Sequence, residues 1–157
     1  MSSKTAELLR KYESAPGELI ESIDGLSDAE LNKRLAPKKW SIRQQVHHLA
    51  DAEVNFVQRM KKIIAEENPL ITPFDQDKWA TKFSYDNAPV EYSVALFYTL
   101  RASMASALRK LGDKEFMRTG VHAEDGKVTL FHILEHAVEH TDHHFKMIEK
   151  IKRKFKI

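Results

Sequence analysis

The stretch Thr129–Arg153, TLFHILEHAVEHTDHHFKMIEKIKR, holds five of the chain's eight histidines, and His132, His136, His140 and His144 recur at every fourth residue. Residues four apart on an α-helix lie one turn above one another, so two imidazoles at that spacing can grip one metal ion. Three overlapping pairs qualify, and the apolar stripe chooses among them. Leu130, Ile133, Leu134, Ala137, Val138, Thr141, Phe145, Ile148 and Ile151 share one face at roughly 100° per residue. His140 and His144 flank that face, within about 50–90° of its centre, whereas His132, His136 and His143 point towards solvent. The stretch reads as a long amphipathic helix with one inward-looking histidine pair. Further ligands must come from elsewhere.

The remaining composition narrows what those ligands can be. The chain has 157 residues and 42% hydrophobic content, which suits one domain over residues 1–157 with a single core. It has no cysteine, so disulfides and thiolate metal sites are excluded and any metal must be held by His, Asp or Glu. A reducing, cytoplasmic setting is expected. The charged start MSSKTAELLRKYE lacks the apolar run of a signal peptide, and no run approaches the roughly 20 apolar residues of a membrane span. A formal net charge of +2 does not call for a nucleic-acid partner, and the basic tail Lys150–Ile157 complements a helix dipole.

In chain order, residues 3–25 form a first helix, with a kink or a second start expected at Ser14-Ala15-Pro16 and an end at Gly25. Ser27–Glu30 begins a short helical turn. Ser41-Ile42-Arg43-Gln44 is a capping box that opens a second long helix, running to about Glu67 before Asn68-Pro69. His47, His48, Asp51 and Asn55 lie in its first half, and periodicity does not choose between the two histidines. Residues 68–88 form a long connection anchored by Trp79, Pro89 to Leu111 a third helix ended by Gly112, and 112–128 a second connection. That connection contains His122 and an Asp125-Gly126 turn signal. Thr129 then caps the last helix. Strands are expected to be essentially absent, and four amphipathic helices with two long connections make a four-helix bundle. Glu53 and Arg101 fall inside apolar stripes. Buried charges need partners, so the two are expected to pair.

KKWSIRQQVHHLADAE (38–53), followed near the end by EHTDHHFKMI (139–148), resembles the DinB-like superfamily, including its YfiT-type proteins. The connections NPLITPFDQDKW (68–79) and GVHAEDGKVTL (120–130) are similar too, so the resemblance covers nearly the whole chain. It implies an all-α four-helix bundle in up-down-down-up order and a divalent metal, zinc or nickel, held by three histidines. His48, immediately before Leu-Ala-Asp, matches the first ligand, and His140 and His144 match the other two. A homodimer is implied as well.

The resulting expectation is a metal-dependent enzyme acting on a small electrophilic molecule. Three neutral ligands leave an open position that activates water or a low-molecular-weight thiol. The YfiT-like connection tilts the balance slightly towards thiol S-transfer over hydrolysis. Asp51 is the candidate catalytic residue, either orienting a ligand imidazole or accepting a proton. Asn55 is read as structural or as contacting substrate. His47 is read as a solvated neighbour, His122 as ordinary loop polarity, and His132, His136 and His143 as surface groups. The alternative is a non-catalytic bundle that the metal staples together or that senses metal.

Overall fold

The computed structural model describes residues 1–124 and 126–157. Asp125, half of the turn signal, lies outside the described residues. In chain order the elements are α1 (Ser3–Ile23), α2 (Asp28–Leu31), α3 (Ile42–Ala65), β1 (Leu70–Ile71), α4 (Gln76–Lys82), α5 (Val90–Leu108), α6 (Asp113–Phe116), β2 (Thr119–His122), β3 (Gly126–Thr129) and α7 (Leu130–Phe155).

Local chemistry sets most of these ends. Ser41 accepts from the Gln44 amide while the Gln44 side chain accepts from the Ser41 amide, so two of α3's orphan donors are satisfied reciprocally. Thr129 Oγ1 accepts from the His132 amide at the start of α7. Beyond α1, Gly25 takes φ +72°, a left-handed value that costs glycine nothing. At the other end of α3, Arg118 donates to the carbonyls of Ile63 and Glu66, which have no acceptor role left inside the helix.

The long helices are α1, α3, α5 and α7. Each of α1 and α3 packs against both α5 and α7. Side-chain pairs give the directions. Lys4 meets Glu135 and Lys152 meets the Ser22 carbonyl, so α1 and α7 run the same way. Glu53 meets Arg101 and His47 meets Ser93, so α3 and α5 are also parallel to each other. His48 meets His140 and Gln45 meets His144, which makes α3 antiparallel to α7. The order is up-down-down-up, as the resemblance implies.

Two expectations are corrected and one is narrowed. Of the two alternatives expected at Pro16, the second start is absent, because α1 is one helix through that residue. Proline leaves the carbonyl four residues back without its usual donor, and Arg101 Nη1 takes up that carbonyl, Tyr12 O, at 3.2 Å. The third helix stops at Leu108, and Gly112 caps α6 instead of ending α5. Strands are present as well: β1 pairs parallel with β2, and β2 antiparallel with β3. A Cβ on Gly120 would meet Ile63 and the Pro69 carbonyl at 3.1 Å, so glycine lets this sheet lie against the end of α3.

Two apolar clusters fill the bundle, one around Met60, Met104 and Leu134, the other around Leu19, Leu49 and Phe97. Tyr12, Glu53, Arg101 and Thr141 form a polar layer where they adjoin. No described helix is long and apolar enough to cross a membrane.

Candidate metal centre

The site lies between the antiparallel helices α3 and α7. One helical turn separates Gln45 from His48 on α3, and another separates His140 from His144 on α7. The Nε2 atoms of His48 and His140 are 2.9 Å apart, and those of His144 and His140 are 3.1 Å apart. Ring nitrogens of all three histidines lie within 4.8 Å of one another, and among the described residues they are the group suited to holding a metal ion. His48 and His144 are buried, and His140 is half-buried.

Hydrogen bonding orients the set. Gln45 Oε1 can only accept, so its short contact with His144 Nδ1 puts that ring's proton on Nδ1 and leaves a lone pair on Nε2. His140 Nε2 faces two other Nε2 atoms and carries at most one proton. Ordinary hydrogen bonds therefore do not account for the convergence. His48 Nδ1 is buried with no hydrogen-bond partner. Three inward nitrogens on neutral rings fit a divalent cation that favours imidazole.

Burial keeps those rings neutral. It lowers the His48 pKa to about 4 and is the first cause of the lowering to about 3 at His144, where His48 and His143 add to it. His140 is lowered to about 2, first by burial and then by the neighbouring histidines and Arg101. Aromatic rings supply much of that burial. Trp40 meets His48 edge-on at 4.7 Å and stacks over His144 at 6.3 Å. Phe74, backed by Trp79 at 5.0 Å, stacks on His48 from the 68–88 connection. Trp79 thus anchors by packing, as expected.

A cavity of about 260 Å³ opens beside the histidines, bordered by His48, His140, Arg59, Phe74, His122 and His136 among others. Both long connections contribute to it. His122 is 8% exposed, so it is part of this wall and not ordinary loop polarity. The β2–β3 hairpin carries it there, a placement that the loop sequence does not signal.

Other candidates are placed differently. His47 is 4% exposed, not solvated: the segment before α5 folds over it, and its ring bonds Ser93 Oγ at 2.7 Å and the Ala88 carbonyl at 3.1 Å. Asp51 does not orient His48, because its carboxylate accepts the Tyr85 hydroxyl instead. Burial and that carboxylate raise the Tyr85 pKa, so the phenol keeps its proton. Nor does Asp51 border the cavity. Asn55 Nδ2 donates back to the Asp51 carbonyl at 2.8 Å, a local helix contact. Sequence reading missed Gln45, whose available signal is its position one turn before His48, and Trp40, which directly precedes the Ser41 cap.

The DinB superfamily model matches residues 11–148. This chain belongs to the DinB superfamily. Two relatives from Oceanobacillus iheyensis, both named as candidate metal-dependent hydrolases, are 32% and 34% identical over 91% and 94% of the chain and 82% and 86% of their own lengths. YfiT of Bacillus subtilis, named likewise, is 32% identical over 93% of the chain and 83% of its own length. Its solved structure, described as having an unusual four-helix bundle topology, superposes with a TM-score of 0.93 at 29% identity, covering 99% of this chain and 90% of YfiT. A mycothiol-dependent maleylpyruvate isomerase shares the fold at TM-score 0.71 and 14% identity, over 92% of this chain and 60% of its own. For this DinB-superfamily chain, the three-histidine group and its hydrolase-named relatives agree on a metal-dependent protein.

Proposed function

We propose that this chain is an enzyme in which His48, His140 and His144 hold one divalent ion, zinc or nickel, beside a cavity that admits a small electrophilic substrate. The observation that carries the reading is the convergence of three neutral imidazole Nε2 atoms next to that cavity. When bound, such an ion supplies a Lewis acid that favours the deprotonated form of a water or thiol nucleophile. The chain's own groups do the rest. Gln45 fixes the His144 tautomer, while Trp40 and Phe74 keep water off the backs of the rings.

The chain has no cysteine and so no thiol of its own, and on this reading the nucleophile comes from outside. The names of the relatives favour water and hydrolysis. A small thiol is the second reading, since the cavity of about 260 Å³ beside the histidines is larger than a single water needs. The alternative of a metal staple is less favoured, because two apolar clusters and a buried ion pair join the four helices without an ion.

The deciding experiment offers metal-loaded and metal-free protein a panel of esters, amides, chlorinated compounds and epoxides, with and without a low-molecular-weight thiol. Metal-dependent cleavage without thiol supports hydrolysis, and turnover that requires thiol supports transfer. An inert panel together with melting of the metal-free bundle supports the staple.

A further inference from the structure

Two of the three converging rings, His48 and His140, border the cavity, and His144 does not. Trp40 covers His48 and His144, and Gln45 occupies the Nδ1 side of His144. An ion therefore arrives from the cavity side, past His140.

The same cavity wall continues along α7 with two more histidines. His136 lies one turn before His140 and His132 one turn before that, and both are exposed. Ring centroids are separated by 6.4 Å from His132 to His136, by 6.4 Å from His136 to His140 and by 4.4 Å from His140 to His144. Phe56 meets both His136 and His140 edge-on, at 5.3 and 5.6 Å, so one aromatic ring spans the step between them. The ladder runs unbroken from solvent to the buried group. Nothing in the chemistry of the buried centre requires its outer two rungs.

We propose that His132 and His136 form a loading site that captures a divalent cation and passes it down α7 to His140. The proposal rests on reading the buried group as a metal centre. Imidazole pairs at i,i+4 bind such ions, and two donors hold them less tightly than three, so transfer inward is downhill. Along this path His140 would take the place of His132 as a ligand, and His48 and His144 would then take the place of His136, with water filling the remaining positions. No proton is moved if the rings are neutral. An ion held one turn away makes delivery intramolecular, at an effective concentration on the order of millimolar, far above that of a scarce ion in solution.

The test uses the tag-free, metal-free full chain mixed rapidly with Co²⁺, read by visible absorption of the bound ion and by tryptophan fluorescence. Because both residues are exposed, His132→Gln/His136→Gln should fold normally. Uptake by the double variant should slow by about tenfold or more, some 1.4 kcal/mol on the barrier. Chelator-driven release should slow by the same factor, leaving one ion bound at unchanged affinity, and His143→Gln, altered on the same helix outside the cavity, should load at the parent rate. Parent-like uptake by the double variant would overturn the loading site while leaving the buried centre intact. A fall in its equilibrium affinity would also overturn it, by making these rings permanent ligands. A parent protein that binds no Co²⁺ defeats the metal centre itself and the loading site with it.

Discussion

Glu53 on α3 and Arg101 on α5 meet at 2.9 Å, each with a side chain 1% exposed. The guanidinium is surrounded by acceptors: Glu53 at Nε, the Tyr12 carbonyl at Nη1, and the Ala137 carbonyl and Thr141 Oγ1 at Nη2. Tyr12 donates its hydroxyl to the other Glu53 oxygen, and the rings of Tyr12 and Phe97 lie 4.3 and 4.5 Å from the guanidinium carbon. One cation thereby touches all four long helices. It also supplies the donor that Pro16 withholds from Tyr12.

Breaking this pair should be expensive. Glu53→Gln leaves Arg101 as a buried, uncompensated charge and should cost roughly 3–5 kcal/mol. Urea titration of the metal-free protein measures it, and a midpoint equal to the parent's would show that the layer does not hold the bundle together.

Metal affinity should divide the histidines. Alanine at His48, His140 or His144 should abolish tight binding, whereas alanine at His143 should not. Gln45→Ala should lower affinity by roughly 10–100-fold through loss of the tautomer lock on His144. Calorimetric titration with Zn²⁺ or Ni²⁺ reads all five variants, and a His48→Ala/His140→Ala protein that retains stoichiometric metal refutes the assignment.

Tryptophan emission should report on the centre. Trp40 contacts two of the three rings, whereas Trp79 touches Phe74 and Phe83. Ni²⁺ should quench the parent and Trp79→Phe, and have little effect on Trp40→Phe. Equal quenching in both variants would place the ion elsewhere.

Acid should destabilise the metal-free protein. The folded-state pKa values of His48, His140 and His144, about 4, 2 and 3, lie below the ordinary 6.5. Below pH 6.5 the unfolded chain therefore binds more protons than the folded one. The contribution of these rings is complete above that pH and is lost as pH falls towards their folded values. Each histidine adds up to about 1.4 kcal/mol per pH unit across that window. Unfolding free energies at about pH 7 and about pH 5 test this, and equal values would mean that the rings are not neutral and buried.

Much of the architecture is local and was legible in the residues. Helix caps act over three positions and helical faces over three or four, so Ser41, Gln44 and Thr129, the apolar stripes and the inward pair His140 and His144 could all be read from the chain. Glu53 and Arg101 were legible for a related reason: a charge inside a stripe demands a partner. Tertiary structure decided what depends on distant chain segments. Two-to-four-residue strands carry little local signal, and β1 exists because Leu70 pairs with Val121. His47 and His48 are neighbours on one helix, and both are buried. What separates them is whether α5 or α7 packs opposite, which turns one ring towards Ser93 and the other towards His140. Asp51, within a turn of both, went to Tyr85 because the 68–88 connection folds that phenol back over α3. No spacing rule within one helix could have shown it, since the partner lies on a connection whose path is set by packing.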